Sequence, residues 1–263
     1  MVKNENYWGG EVQLDRVVFY GMGDDQSKVM AMQNGEVDGY DNINTNDMEL
    51  FASQPEKYTV TSTPMKTRGY MFLNAKVLPD SVREAIALMI DREAIAAYIP
   101  GMVTSASTAF DETLPYGKAK PAEWDVEKAR AVLEADGYVL ENGYYTKDGQ
   151  VLSVTLSSYE ARNFDTIALV IMEQLKAFGI QADLKIVEDP DAAYMTGDAY
   201  EIGFYRNLTD KSGDPFSFID AAFRTGTYQD IAGFGNPETD ALIEELRYEG
   251  DPDRRAELAN EIM

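Results

Sequence analysis

The segment YRNLTDKSGDPFSF, residues 205–218, carries side chains suited to holding a small polar molecule. It follows the apolar, strand-like run EIGFY, and Arg206 and Asn207 come directly after Tyr205. A guanidinium forms paired hydrogen bonds with a carboxylate, and the carboxylate of Asp210 can accept from an amine. Because ligands of α/β sheets bind beyond the carboxyl ends of strands, this loop is predicted to contact a ligand that carries an amine and a carboxylate.

Each of these residues also has a structural interpretation, and the sequence leaves both open. Tyr205 could wall a ligand cleft or end a core strand, and the polar residues after it favour the cleft. Arg206 could pair with a ligand or form an ordinary salt bridge, and Asp210 could bind an amine or cap its own loop. Asp214, directly before Pro215, is predicted to form a turn.

Composition excludes several classes of protein. The 263 residues carry 46 acids against 23 lysines and arginines, a net charge of −23, so neither nucleic acid nor an anionic membrane is an expected partner. Histidine and cysteine are both absent, which excludes Ser-His-Asp and Cys-His catalysis within this chain, disulfides and thiolate metal sites. We predict no metal site and no cofactor. Paired carboxylates for glycoside hydrolysis stay open, although any such pair is expected to be solvated surface.

The first part of the chain is predicted to alternate strands and short helices. Strand-like composition occurs at 14–22, 36–40, 57–64 and 68–75. A helix is expected to end at Gly35, and a second, over 46–53, is expected to begin with Asn46 or Asp47 as N-cap.

The second part is predicted to be richer in helix. Apolar spacing indicates one helix over 78–101, capped by Asp80 or Ser81 and closed by Gly101, and another that begins at Asp125. A hairpin is expected over 144–159, followed by a buried helix that ends at Gly179. Strands are expected at 181–188 and 200–207, and helices at 239–246 and 251–263. The strand–helix–strand order over 151–187 favours a sheet with right-handed crossovers.

Several stretches, in order, resemble the family 5 solute-binding proteins of ABC transporters, which include dipeptide, oligopeptide and nickel-type members. They are NENYWGG, LDRVVF, NGEVDGYDN, YMFLNAKV with VREAIALMIDREAI, WDVEKARAVLEADGY, IMEQLKAFGIQADLKIVE and NPETDALIEELRYEGDPDRRAELANEIM. Each motif alone is weak, but the set in this order is specific.

The resemblance implies an α/β fold: a periplasmic-binding-protein-like type II lobe with a mixed sheet and flanking helices, plus part of the other lobe. Residues 1–74 are expected to be the C-terminal part of lobe one with a linking strand near Tyr70–Asn74. Residues 75–263 are expected to be lobe two, incomplete at its C-terminus. The resemblance also implies an extracytoplasmic protein, periplasmic or lipid-anchored at the cell surface, whose signal segment is absent from this chain.

The resemblance further implies the substrate-binding component of an ABC importer, a monomer that captures short peptides or a similar small polar solute between closing lobes. Such a protein works with an ABC permease and is not an enzyme. Two alternatives are a nickel-chelate-type binding protein of the same family and a sensor module with a signalling partner. An alternative of another class is a carboxylate-based hydrolase.

Site residues follow from two matched stretches. YDNINTND resembles the lobe-one segment beside the ligand, which implies Asn42, Asn44 and Thr45, although these types also form turns before helices. FYRNLTDKSGDP resembles the lobe-two loop that places an acid against a peptide's α-amino group. The usual spacing sets that acid at Lys211, so the chain departs from the pattern and Asp210 is the nearest candidate.

The remaining site residues belong to the same loop and to the linking strand. Tyr205, Arg206 and Asn207 complete the lobe-two set, and Arg68 and Tyr70 are as readily structural as ligand-facing. The nickel-type branch has aromatic residues in the 209–213 loop, where this chain has Thr209 and Gly213, so the sequence gives no inference of nickel.

Overall fold

The computed structural model describes the 263-residue chain except Pro64, 196–199, Ser212 and 228–229, and except the side chains of Thr45, Asn46 and Met195. The chain forms two compact units, Met1–Val60 and Thr61–Met263. The strand predicted to link two lobes lies within the larger of these units. The assignment of 1–74 and 75–263 to two lobes stays a prediction.

The smaller unit contains α1 (Asp25–Asn34) and α2 (Thr45–Ala52). Helix α1 begins at Asp24, whose side chain accepts from the Ser27 amide, and it ends at Gly35 with φ 73°, the left-handed conformation that glycine adopts without steric cost. The predicted end at Gly35 is therefore confirmed. The Phe51 ring is buried and meets the Tyr58 ring edge-on at 4.7 Å.

The strands predicted at 14–22, 36–40 and 57–64 are wrong over the residues that the structure describes. Only an isolated bridge forms there, between Val2 and Arg16, and Val18, Phe19 and Tyr20 are exposed. Strand propensity measures how a side chain fits a half-buried, paired sheet surface, so composition alone does not produce a strand. Helix α2 also begins earlier than predicted, because Asn44 is its N-cap rather than Asn46 or Asp47.

The larger unit is built on a four-stranded mixed sheet in the order β1-β7-β5-β6. Strand β1 pairs antiparallel with β7, whereas β5 runs parallel to both β7 and β6. A smaller antiparallel sheet has the order β2-β3-β4. The strands are β1 (Thr67–Leu73), β2 (Val139–Glu141), β3 (Tyr144–Lys147), β4 (Gln150–Val151), β5 (Ser153–Ser158), β6 (Gln181–Ile186) and β7 (Ile202–Leu208).

The predicted hairpin over 144–159 is correct only near its turn. Strands β3 and β4 pair across Asp148 and Gly149, both in the left-handed region, with φ 54° and 75°. The following β5 leaves this hairpin and joins the larger sheet, where its apolar residues are buried. Burial of Val154 and Leu156 in the main core therefore decides where the strand pairs.

The helices of this unit pack on β5 and β6 and on one another. The buried α6 connects β5 to β6 and ends at Gly179, as predicted, and α5 begins at Asp125, as predicted. The helices of this unit are α3 (Asp80–Met89), α4 (Arg92–Tyr98), α5 (Val126–Ala135), α6 (Phe164–Phe178), α7 (Phe216–Phe223), α8 (Pro237–Tyr248) and α9 (Pro252–Ile262). Within the described ranges, no helix has both the length and the apolar content to cross a membrane.

The single helix predicted over 78–101 is two helices. Ile90 is extended, with ψ 115°, and Asp91 caps α4 by accepting from the Ala94 amide. The Gln174 side chain forms two hydrogen bonds with the backbone of Asp91. Its Oε1 accepts from the Asp91 amide at 3.0 Å, and its Nε2 donates to the Asp91 carbonyl O at 3.2 Å. A tertiary contact therefore replaces the helical bonds at this break. Pro79 rather than Asp80 or Ser81 occupies the N-cap position of α3.

Candidate functional site

Three chain segments meet where β5 and β7 end. These strands are parallel, so Tyr159 and Arg162 after β5 lie at the same sheet edge as Arg206 to Asp210 at the end of β7. The antiparallel β1 begins at this edge with Arg68 near its start. We call this the β5–β7 edge. It is the position at which ligands of parallel α/β sheets bind.

The pairing of β1 with β7 separates the predicted residues onto two faces of the sheet. Tyr70 lies opposite Tyr205, and Arg68 lies opposite Asn207, so these four side chains share one face. Arg206 lies opposite Gly69 and therefore projects from the other face. Four of the predicted site residues thus share one face of the sheet, and Arg206 is separated from them on the other face.

On the first face, Arg68 forms a hydrogen bond within the protein. Its Nε donates to the Thr108 carbonyl O at 3.4 Å. The Tyr70 ring meets the Phe72 ring edge-on at 5.0 Å. Burial raises the pKa of Tyr205, and a hydrogen bond to the Asp191 carboxylate raises it further. This face is therefore an aromatic surface with one half-buried arginine.

Asp210 is a buried acid with its own cation. Its side chain is 4% exposed, and Lys66 Nζ lies 2.7 Å from Oδ2 while the Tyr116 hydroxyl donates to Oδ1 at 2.8 Å. The hydrogen bond from Lys66 holds the pKa of Asp210 below its ordinary value, followed in effect by the one from Tyr116. We call these three residues the Asp210 corner. Its carboxylate is ionised and already neutralised by a lysine of the same chain.

The residues next to Asp210 in this loop form contacts within the protein that stabilise the loop. Lys211, where the usual spacing would place an acid, is exposed. Its backbone forms an isolated antiparallel β-bridge with that of Asp214. Asp214 accepts from the Phe216 amide at 2.9 Å and from Arg255 Nη2 at 2.6 Å, in agreement with its predicted role in a turn. Thr209 donates to the Ala109 carbonyl O at 2.8 Å.

A second cluster, Tyr159 with Arg162 and Arg206, lies at the same edge; we call it the arginine corner. The Tyr159 and Phe164 rings pack with their centroids 5.1 Å apart. Phe164 also packs closely on Gly69, the residue opposite Arg206, because a Cβ at Gly69 would lie 3.2 Å from the Phe164 ring. Burial raises the pKa of Tyr159, and the charge of Arg162, a hydrogen bond with Arg162 and the charge of Arg206 act in the opposite direction. Burial also lowers the pKa of Arg206, and the like charge of Arg162 lowers it further.

In the smaller unit, the predicted residues surround the start of α2. Asn42 is exposed with φ 56°, and Asn44 caps α2 by accepting from the Asp47 amide at 2.9 Å. Asn44 Nδ2 also lies 3.4 Å from Asp25 Oδ2. The side chain of Thr45 lies outside the described residues. The turn-forming alternative therefore describes Asn44, and the ligand contacts of Asn42, Asn44 and Thr45 stay predictions.

Four residues of these two corners were not predicted from the sequence. Tyr159 and Arg162 follow β5, and the strand-end rule that selected Tyr205 and Arg206 would have found them. Lys66 and Tyr116 had no such signal, since they lie 144 and 94 residues from Asp210 in the chain. Among described residues, no group of three or more acidic side chains is placed to hold a metal ion.

Comparison with known proteins places this geometry in a family. The chain is 25% identical to the nickel-binding protein NikA of Staphylococcus aureus, over 98% of this chain and 52% of that protein. It is 23% identical to the oligopeptide-binding protein OppA of Mycobacterium bovis, over 100% of this chain and 46% of that protein. The chain thus spans about half the length of these curated relatives.

The fold matches as well. The structure of NikA from Brucella suis in complex with Fe(III)-EDTA superposes with a TM-score of 0.82 at 22% identity, over 99% of this chain and 55% of that one. The fold is therefore that of a type II periplasmic binding protein, with a mixed sheet and flanking helices. The sequence model described as bacterial extracellular solute-binding proteins, family 5 Middle, matches residues 1–230. The chain belongs to this family of extracellular solute-binding proteins.

Proposed function

We propose that the protein containing this chain is the substrate-binding component of an ABC importer, which captures a short peptide or a similar small polar solute and delivers it to a permease. The observation that carries the proposal is the β5–β7 edge, where Arg68 and Tyr205 on one face of the sheet and Arg206 on the other lie at the strand ends used by ligands of such sheets. Family membership and relatives that bind oligopeptides or nickel support it. Such a protein acts outside the cytoplasm, in the periplasm or anchored to the cell surface, as a monomer.

A nickel-chelate-binding protein of the same family would have the same fold, so the fold does not distinguish this alternative from peptide binding. Relatives named for nickel and for oligopeptides match the chain at similar identity, 25% and 23%, so similarity alone does not separate the two ligands. A hydrolase with paired carboxylates has less support at this edge. A general acid needs a raised pKa, and the pKa of Asp210 is held low by Lys66.

Native mass spectrometry of the full-length protein, purified from its own host, tests the proposal. A co-purified series of masses that match short peptides supports peptide capture. A single metal-bearing mass supports the chelate alternative. If neither mass appears, and calorimetry detects no binding of short peptides or of nickel(II) with L-histidine, the proposed function is wrong.

A further inference from the structure

The Asp210 corner depends on two segments that contain neither helix nor strand. The first, 109–118, contributes Tyr116, and the second is the loop between β7 and α7, which contributes Asp210. Two hydrogen bonds join them. The Tyr116 hydroxyl donates to Asp210 Oδ1 at 2.8 Å, and the Thr209 hydroxyl donates to the Ala109 carbonyl O at 2.8 Å. Segments of this kind hold a side chain in one place only when neighbouring residues fix their backbone.

Helix α9 provides such a contact for the first segment through Asn260. The Asn260 Oδ1 accepts from the Lys118 amide at 2.7 Å, and its Nδ2 donates to the Pro115 carbonyl O at 3.0 Å. These two backbone groups lie on either side of Tyr116 in the chain. One amide side chain therefore fixes the backbone from which the Tyr116 hydroxyl reaches the corner.

The same helix holds the second segment through Arg255. Its Nη2 donates to Asp214 Oδ2 at 2.6 Å, and the other oxygen of Asp214 accepts from the Phe216 amide at 2.9 Å, where α7 begins. The Arg255 Nη1 donates to the carbonyl oxygens of Leu246 and Glu249, at 2.7 and 2.8 Å. Because a guanidinium is planar and its donors have fixed directions, this one group connects the loop after β7 to the end of α8.

Helix α9 is a firm support for both contacts. It begins at Asp251, whose side chain accepts from amides of the first turn. Leu258 and Ala259 are fully buried in the same apolar cluster as Ile243 of α8. Burial of this face fixes the helix, so side chains that project from it have defined positions from which to hold a loop.

We propose that Arg255 and Asn260 are positioning residues of the solute-binding site. From α9 they fix the two segments that place Tyr116 and Asp210 at the β5–β7 edge, and their described hydrogen bonds reach those segments and α8 rather than Asp210 itself. The inference rests on the proposed function, in which the loop after β7 contacts the solute. Because the two segments are bonded to each other, release of one should also loosen the other.

Hydrogen–deuterium exchange on the full-length, solute-free protein tests this coupling. In N260A the 109–118 segment loses its bonds to α9, so the hydrogen-bonded amides of Leu114 and Gly117 should exchange about tenfold faster. The loop after β7 should also exchange faster, whereas the buried α6 should not change. E261Q, an exposed neighbour on the same helix, is the control and should match the wild type in both segments.

Calorimetry connects positioning to binding. The probes are tri-alanine and nickel(II) with L-histidine, at a temperature well below the melting temperature of each variant, so that only folded protein is measured. R255Q and N260A should each weaken the probe that the wild type binds by about three- to tenfold. R254Q removes an arginine on α9 that pairs with Glu245 and Glu257, and should stay within about twofold.

Two further variants separate positioning from a general loss of stability. R255K keeps the positive charge but cannot reach all three acceptors, so it should recover part of the affinity lost in R255Q. If Asn260 acts through Tyr116, N260A should weaken binding less in a Y116F background than in the wild type. A general loss of stability would give additive effects and no recovery.

The outcomes distinguish this inference from the proposed function. Faster exchange confined to 115–118 in N260A, or an equal increase in α6, would overturn the positioning role. Affinities of R255Q and N260A equal to that of the wild type would also overturn it, while solute binding stands. If the wild type binds neither probe and carries no co-purified solute, the proposed function fails, and exchange still decides whether α9 positions the two segments.

Discussion

The two corners of the β5–β7 edge use similar residues in opposite ways. In the Asp210 corner, a lysine and a tyrosine donate to one buried carboxylate at 2.7 and 2.8 Å. In the arginine corner, two arginines and a tyrosine lie together, and Arg162 lowers the pKa of the tyrosine through its charge and through a hydrogen bond. A satisfied buried network of opposite charges stabilises the fold, whereas like charges held side by side cost stability. The Asp210 corner therefore pairs opposite charges, whereas the arginine corner brings two like charges together.

The largest expected effect is the loss of the carboxylate of the Asp210 corner. D210A should lower the free energy of unfolding by about 2–3 kcal/mol, because it leaves the buried Tyr116 hydroxyl and the Lys66 ammonium without their acceptor. Urea denaturation of the ligand-free full-length protein measures this. D183N, on the exposed face of β6, is the control and should stay within about 0.5 kcal/mol. Equal stability of both variants would contradict a structural role for Asp210.

Acid should affect the same corner. The pKa of Asp210 is lowered in the folded state by the hydrogen bond from Lys66, so its contribution to stability is complete above the unfolded value of about 3.9 and is lost as the pH falls through the folded value. Between pH 5 and pH 3 the wild type should therefore lose more stability than D210N. Melting temperatures at each pH measure the difference, and parallel curves for the two proteins would refute this assignment.

Removing the lysine should have a smaller effect on stability and a specific effect on ligands. Lys66 is 55% exposed, but its removal leaves the buried Asp210 carboxylate with Tyr116 as its side-chain partner, so K66M should cost about 1–2 kcal/mol. The variant exposes the Asp210 carboxylate to a ligand amine, so tri-alanine should gain affinity over its N-acetyl form. Calorimetry of both peptides against wild type and K66M gives this ratio, and K57M in the smaller unit is the control. An unchanged ratio would show that Lys66 does not compete with a ligand amine.

The smallest effect on stability separates two buried tyrosines of the larger unit. Tyr194 is 1% exposed and donates to the Phe204 carbonyl O, whereas Tyr159 is 5% exposed and its hydroxyl donates to no described residue. Y194F should therefore lower stability by about 1 kcal/mol, and Y159F should change it by less than about 0.5 kcal/mol. Urea denaturation compares the two directly. A larger loss for Y159F than for Y194F would mean that the Tyr159 hydroxyl has a structural partner.

Local signals in the sequence determined much of this protein. Charge and the lack of histidine and cysteine excluded several chemistries, and ordered motifs indicated the family that the comparisons confirm. Helix ends at Gly35 and Gly179 and the N-cap at Asp125 were predicted correctly, because caps depend on one residue and its immediate neighbours. The loop after β7 was placed only partly correctly: Asp210 follows the strand, as predicted, whereas Tyr205, Arg206 and Asn207 lie within β7 and pair with β1.

Tertiary structure decided what depends on partners distant in the chain. The strand predicted at 14–22 does not form, and Gln174 divides the helix predicted over 78–101 at Asp91. The role of Asp210 was set by Lys66, 144 residues away in the chain, which no local pattern could indicate. Register alone decided that Arg206 projects from the face opposite to Arg68, because side chains alternate along a strand and a shift of one residue exchanges the faces. Sequence thus determined which groups are available, and folding decided which of them are already satisfied.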